Sequence, residues 1–184
     1  WMGAVGTECD WYGVTCSSGN VARIYLKKND LTGAIPKELG NLSQLTSLTL
    51  EANQLTGGIP KEIGNLKELY YLNFYNNSLS GSIPSELGNL TNLTTLYLGY
   101  NDLNGTIPSE LGSLTKLHTL WLQGNSLSGS IPNELGNLTN LEDRLYLNNN
   151  SLSGNIPSEL GNLTNLTSLW LNNNSLSSTR LDVQ

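Results

Sequence analysis

Apolar positions recur along this chain in a fixed order that is neither a helical stripe nor a simple alternation. In one stretch they fall at Leu93, Leu96, Leu98, Leu103, Ile107 and Leu111, with polar residues, Gly and Pro between them. Near copies of the segment that starts at Leu96 begin at Ile24, Leu48, Leu72, Leu120, Leu145 and Leu169, at steps of 24 residues with one step of 25. A spacing held this tightly means that each copy closes one coil of a solenoid and stacks on its neighbours. Leu96 and Leu98 alternate as a short strand with both leucines inward. Pro108, Glu110 and Gly112 suit the first position, the first turn and the residue after a short helical turn, which the spacing makes a 3₁₀ turn on the opposite side. Six copies carry this Ile-Pro element, at Pro36, Pro60, Pro84, Pro108, Pro132 and Pro157. Strands about 4.8 Å apart give seven coils a length of about 30 Å.

One polar position is as regular as the leucines. Asn29, Asn53, Asn77, Asn101, Asn125, Asn150 and Asn174 each fall where the coil turns after its strand. An amide side chain both donates and accepts, so this column is expected to form a ladder satisfying backbone groups inside the stack.

The repeat has the form L-x-x-L-x-L-x-x-N-x-L-x-G-x-I-P-x-x-L-G over about Val21 to Leu176. It resembles the plant-type extracellular leucine-rich repeat. The segment Cys9-Asp-Trp11-Tyr-Gly13-Val-Thr-Cys16 is similar to the N-terminal cap of that family. The resemblance implies a right-handed α/β solenoid of about seven 24-residue coils, with short parallel strands on the concave face and short 3₁₀ turns on the convex face. It implies three regions: a partial cap over 1–20, repeats over 21–178, and a tail over 179–184 without a C-terminal cap. It also supports a Cys9–Cys16 bridge, which an even cysteine count in a chain rich in glycosylation acceptors suggests on its own; two free thiols are the alternative. Trp1 would end the helical part of the cap, so the chain reads as a cropped or mature piece.

Composition narrows the function. About a fifth of the residues are Leu, charged residues are 13%, the net charge is −6 and the sequence pI is near 4.6. Without clustered Lys and Arg the chain is not expected to bind nucleic acid. No apolar run approaches about 18 residues, so no membrane span is expected inside it. No cofactor, metal or catalytic role is expected. His118 is the one histidine, with no serine and acid pair to complete a triad. The glycines follow the repeat instead of forming a phosphate loop. Glu38, Glu62, Glu86, Glu110, Glu134 and Glu159 read as helix-start acids.

The positions between each pair of inward leucines face the concave side. They are Tyr25, Thr49, Asn73, Tyr97, Trp121, Tyr146 and Trp170, five of them aromatic in a chain that is 7% aromatic. Tyr70, Tyr71, Tyr75 and Tyr100 lie in adjacent columns, and Gln123, Asn148 and Asn172 add amides. Aromatic rings with polar tips are favoured at binding surfaces, although aromatics also simply suit strands. The expected ligand-binding set is Tyr25, Tyr71, Asn73, Tyr75, Tyr97, Tyr100, Trp121, Gln123, Tyr146, Asn148, Trp170 and Asn172. Arg23, Lys27 and Lys28 make a small basic end that either takes a carboxylate or is simply solvated. Glu142, Asp143 and Arg144 make a charged end, where the 25-residue step must bulge to keep the inward register.

Ten Asn-x-Ser/Thr acceptors are present. Asn41, Asn89, Asn92, Asn104, Asn137, Asn162 and Asn165 are the glycosylation candidates, because Asn76, Asn149 and Asn173 face the concave side. The resemblance implies an extracellular or cell-surface recognition module whose partner is a peptide, a protein or a cell-wall glycan. A secreted inhibitor of a cell-wall hydrolase, similar to polygalacturonase inhibitors, is the alternative, and binding of ice by regular Asn, Ser and Thr columns a third.

Overall fold

A computed structural model describes residues 8–177. Trp1 and the tail over 179–184 lie outside the described residues. The leucine pairs form the parallel strands Ser47–Thr49, Tyr71–Asn73, Thr95–Tyr97, Thr119–Trp121, Arg144–Tyr146 and Ser168–Trp170, stacked in register after Asn20–Tyr25. Val14–Ser17 pairs antiparallel with Asn20–Tyr25 and closes the amino-terminal end of this sheet. Cys9 and Cys16 are bonded, with Cα atoms 5.5 Å apart, and tie the short turn Glu8–Asp10 to that hairpin.

Each coil then crosses to a second sheet and a 3₁₀ turn. The turns are Lys37–Asn41, Lys61–Asn65, Ser85–Asn89, Ser109–Ser113, Asn133–Asn137 and Ser158–Asn162. Between the inward leucines and these turns lies a core one coil wide. Leu93, Leu96, Leu98, Leu103, Leu111 and Leu114 are fully buried, and Phe74 fills a leucine position in the third coil. Burying each such side chain stabilises the fold by about 1.5–3 kcal/mol.

Three features differ from the sequence reading. A seven-stranded parallel sheet runs along the side of the solenoid, built from Thr32–Ala34, Gln54–Gly57, Ser78–Ser82, Asp102–Thr106, Ser126–Gly129, Ser151–Asn155 and Ser175–Ser177. Six of its seven strands carry a glycine in the left-handed region, such as Gly81 at φ 77° and Gly105 at φ 74°, so they do not read as simple alternation. Pro108 stands just before its turn, in an extended conformation (φ −64°, ψ 132°), rather than at its first residue. Gly112 lies inside the turn and is buried. It is needed for close stacking, because a Cβ there would run into the backbone of Glu134 in the next coil; Gly40, Gly64, Gly88 and Gly136 are constrained in the same way.

The asparagine column holds neighbouring coils together. Asn101 Nδ2 donates to the carbonyls of Leu98 in its own coil (3.1 Å) and Phe74 in the preceding one (3.0 Å). Its Oδ1 accepts the N–H of Leu79 at 3.0 Å. Asn53, Asn77, Asn125, Asn150 and Asn174 bond likewise. Asn29 is a correction. Its side chain is exposed and makes no ladder bond among the described residues, because the antiparallel cap, not a preceding coil, lies beneath it. Its own backbone N–H donates to Asn53 Oδ1 at 3.0 Å.

The extra residue of the 25-residue step is absorbed ahead of the strand. Glu142, Asp143 and Arg144 are exposed, whereas Leu141 and Leu145 stay buried and Leu120 still pairs with Leu145.

Among the glycosylation candidates, Asn41, Asn89, Asn137 and Asn162 end 3₁₀ turns and are exposed, and Asn104 is exposed on the lateral sheet. Asn92 is already engaged, accepting from Lys116 Nζ (2.7 Å) and donating to the Lys67 carbonyl (2.9 Å), and Asn165 donates to the Thr139 carbonyl at 3.2 Å.

Two outcomes follow from this packing. Replacing Asn101 by Ala strands two carbonyls and one N–H in the stack and is expected to cost about 2–4 kcal/mol in urea unfolding. Asn29→Ala is expected to stay within about 0.5 kcal/mol of the parent. Peptide mass mapping of secreted protein is expected to find higher glycan occupancy at Asn89, Asn137 and Asn162 than at Asn92 and Asn165. The reverse order would show that side-chain engagement does not govern access.

Candidate functional site

The concave strands place one side chain per coil between two buried leucines, at the spacing of stacked strands. Four successive positions carry rings, and the rings stack on one another. Tyr97 lies 4.2 Å from Trp121 between centroids, Trp121 5.6 Å from Tyr146, and Tyr146 4.3 Å from Trp170, with interplanar angles of 28°, 15° and 20°. Tyr71 meets Tyr97 edge-on at 5.9 Å. In the columns beside the stack, Tyr75 packs edge-on against Tyr100 (5.2 Å) and Trp121 (5.9 Å). Such pairs contribute about 0.5–1.5 kcal/mol each beyond the area they bury.

Two local features lie beside Tyr75. Gly99 leaves its column without a side chain, and the Gln123 side chain lies over it; a Cβ at Gly99 would meet Gln123 Oε1 at 2.8 Å. Tyr100 holds its backbone in the left-handed region at φ 54°, an unfavourable conformation for a bulky residue, and its ring lies against Gly124. The same position is left-handed in every coil, occupied by Lys28, Ala52, Asn76, Gly124, Asn149 and Asn173.

The predicted set divides once it is placed. Tyr71, Tyr75, Tyr97, Tyr100, Trp121, Tyr146 and Trp170 form one continuous aromatic surface. Trp170 and Tyr100 are about half exposed, whereas Tyr146 is nearly covered by its neighbours. Asn73, Gln123 and Asn148 are buried, so they form the floor of the face and not its reach. Among the described residues, Trp121 Nε1, Gln123 Oε1 and Asn148 Oδ1 are buried without a hydrogen-bond partner. Asn172 is exposed near the Trp170 end, and Tyr25 is exposed at the other, separated from the rings by Thr49 and Asn73.

Glu51, a polar neighbour of the rings in sequence, and Lys27, part of the expected basic end, stand beside the rings in the structure although neither is in the expected ligand-binding set. Glu51 Oε1 takes a salt bridge from Lys27 Nζ at 2.7 Å, and Glu51 Oε2 accepts from Asn73 Nδ2 at 2.9 Å. Asn73 Nδ2 also lies 3.3 Å from the Tyr71 hydroxyl, and its Oδ1 accepts the N–H of Tyr75. The basic end expected from Arg23, Lys27 and Lys28 is therefore partly neutralised. The signal for this chain of contacts was the column Lys27, Glu51, Tyr75, which the 24-residue step aligns. At the opposite rim His118 Nδ1 lies 3.4 Å from Glu142 and Arg144 Nε 3.3 Å from Asp143. The Arg144 guanidinium sits 5.8 Å from the Trp121 ring centre and 5.9 Å from that of Tyr146.

The phenols of Tyr97 and Tyr75 are raised above the usual tyrosine value. Burial is the main cause for both; the neighbouring Tyr71 and Asp143 add to it at Tyr97, and Tyr100 and Glu51 at Tyr75. The Lys27 ammonium is raised by its hydrogen bond and charge pairing with Glu51. Among the described residues no group of three or more His, Cys, Asp or Glu could hold a metal ion, and no helix is long and apolar enough to cross a membrane.

Comparison with known proteins agrees with this architecture. The family profile described as "Leucine-rich repeat region" matches residues 60–182. The chain belongs to the leucine-rich repeat family. Within that family, the Arabidopsis thaliana leucine-rich repeat receptor protein kinase EMS1 is 47% identical over 44 residues, covering 24% of this chain and 4% of the kinase. The plant peptide hormone receptor RGFR1, solved in complex with RGF2, is 46% identical with a TM-score of 0.83, over 91% of this chain and 26% of that one. A plant ice-binding protein is 32% identical with a TM-score of 0.80, over 91% of this chain and 63% of its own. The repeat is thus of the plant receptor type, and the chain spans only a minor part of EMS1 and of RGFR1.

The raised phenols give the family fold a pH signature here. In the unfolded chain Tyr97 and Tyr75 ionise near pH 10, before they do in the folded one. Their contribution to stability is therefore whole below about pH 10 and is lost as pH rises through the raised values. Urea unfolding at pH 9 and pH 11 is expected to show this fall, and Tyr97→Phe is expected to lessen it. An equal fall in the variant would place the effect elsewhere.

Proposed function

We propose that this chain is a non-catalytic, extracellular recognition module that binds an extended peptide along the aromatic concave face. Residues up to about 20 serve as its amino-terminal cap and the repeats as its binding body. The observation that carries this reading is the continuous run of rings from Tyr71 to Trp170, partly covered by one another and open to solvent at Tyr100 and Trp170. The leucines flanking each ring already fill the core beneath, so filling it does not call for aromatic residues on that side. Rigid amphipathic rings give large contact area at low entropic cost, the property that binding surfaces use. The likeness to a peptide hormone receptor supports a peptide over other ligands, and the likeness to an ice-binding protein means that fold alone does not decide. The cysteine bridge and the receptor-type repeat support a place in the secretory pathway or at the cell surface.

The inhibitor reading is weaker on the same face. A hydrolase cleft that binds an acidic polymer is basic, so its inhibitor needs several acids on this face, whereas Glu51 is the one acid among the residues lining the hollow between the rings. The ice-binding reading needs a flat array, whereas the concave face carries bulky rings.

The test is isothermal titration of the secreted chain with pools of extended peptides, with neutral and acidic cell-wall oligosaccharides in parallel. Peptide binding is expected, weakened about tenfold or more by Trp121→Ala. Tyr12→Ala, a change of a side chain that is 87% exposed in the cap region, is expected to leave it unaltered. Binding of oligosaccharide alone, or binding indifferent to Trp121→Ala, would overturn the reading.

A further inference from the structure

The rings do not cover the concave face evenly. Between the second and fifth coils they leave a hollow of about 310 Å³, lined by Glu51, Tyr71, Asn73, Tyr75, Tyr97 and Trp121. Four of its six lining residues are aromatic and one is a carboxylate. Tyr71 stands edge-on to Tyr97 (84°) and Tyr75 at a steep angle to Trp121 (62°), so the rings form walls in different planes and not one flat shelf. Ring faces are negative and attract cations, most strongly at Trp, and the attraction grows as the site excludes water. Glu51 places a carboxylate, shared with Lys27, at the foot of these walls.

We propose that this hollow seats a cationic side chain, the guanidinium of Arg or the ammonium of Lys, from an extended peptide lying on the concave face. The proposal rests on that face being the recognition surface. Three observations point the same way. The chain carries a net charge of −6, which favours approach of a basic partner. Lys27, from the preceding coil, already reaches Glu51 at 2.7 Å, so the carboxylate accepts an ammonium in place. The Arg144 guanidinium already lies 5.8 Å from the Trp121 ring centre, so the aromatic surface accommodates a planar cation beside this indole. The walls also disfavour an anion: a bound carboxylate would meet Glu51 and the ring faces together. A neutral sugar would find few free polar partners, because Asn73 is committed to Glu51 and Tyr75, and Gln123 and Asn148 are buried.

Lys27 then acts as a tethered competitor. A ligand cation that reaches Glu51 must displace or share it, so removing Lys27 should strengthen binding where loss of a bystander lysine would not. A half-buried, solvent-screened ion pair of this kind changes such an equilibrium by roughly two- to fivefold.

The experiment follows the Trp121 indole N–H signal in ¹⁵N spectra of the secreted chain, identified by its loss in Trp121→Phe. The probes are acetyl-Gly-Arg-Gly-amide, its Lys counterpart, the uncharged citrulline analogue, and a neutral cell-wall hexasaccharide. A saturable shift with the Arg or Lys probe is expected, about tenfold weaker with citrulline. Glu51→Gln, which keeps the acceptor for Asn73, is expected to abolish the preference for Arg over citrulline. Lys27→Ala is expected to tighten the Arg probe by roughly two- to fivefold. Equal binding of Arg and citrulline, weaker binding in Lys27→Ala, or a shift with the hexasaccharide alone would overturn the proposal. An array of twelve-residue peptides separates this failure from failure of the wider reading. Peptides captured without enrichment in Arg or Lys would sink the cationic subsite and leave peptide recognition standing. No capture at all, with no shift from any probe, would sink both.

Discussion

Every coil of this solenoid depends on its neighbours for its hydrogen bonds, and the asparagine that turns the chain after each concave strand makes that dependence specific. A strand of three residues cannot hold a parallel sheet by itself, and the turn that follows leaves carbonyls facing into the stack. Asn101 answers both problems, joining Leu98, Phe74 and Leu79 through one amide. Because the amide reaches the preceding coil as well as its own, it sets the distance between coils. The leucines then meet at a constant offset and bury fully. At Asn29 the preceding coil is replaced by the cap hairpin, and the same residue does none of this. The role belongs to the stack, not to asparagine as such.

Much of this was legible in the sequence, because the repeat forces many positions to obey one requirement. Inward leucines, the turn asparagines and the column between Leu96 and Leu98 are each fixed by a local rule repeated seven times. What was not legible depended on contacts between coils. Gly112 reads as the end of a helical turn when its own coil is considered alone. Its true constraint is the backbone of Glu134, a full repeat away. The lateral sheet was hidden for a similar reason: its glycines take positive φ and break the alternation that marks a strand.

The candidate site was legible only in outline. Column position correctly brings the rings together, since residues a repeat apart are neighbours in space. Exposure is a different matter, because it depends on what the next column contributes. Gln123 and Asn148 look like ideal polar contacts in sequence, yet Gln123 lies over the bare backbone of Gly99 and both are buried. Glu51 shows the converse. In sequence it is one acid between an inward leucine and Ala52; in space it links Lys27 to Asn73 and stands at the foot of four aromatic walls.

The solenoid separates the residues that build it from those that distinguish it. Leucines, asparagines and close-packed glycines recur because every coil needs them. The positions between the concave leucines carry no such demand, so Thr49, Asn73, Tyr97 and Trp121 occupy equivalent places without disturbing the core. Departures from regularity there have a cost that stacking does not require. Tyr100 is an aromatic residue at φ 54°, at a position where Asn and Gly sit with less strain. Gly99 gives up a side chain in a column that elsewhere has one. Both lie beside Tyr75, whose ring meets those of Tyr100 and Trp121 edge-on next to the hollow above Glu51. Stacking alone does not ask for that pair, and their coincidence close to the Lys27-paired Glu51 marks this stretch of the concave face as specialised beyond the needs of the repeat.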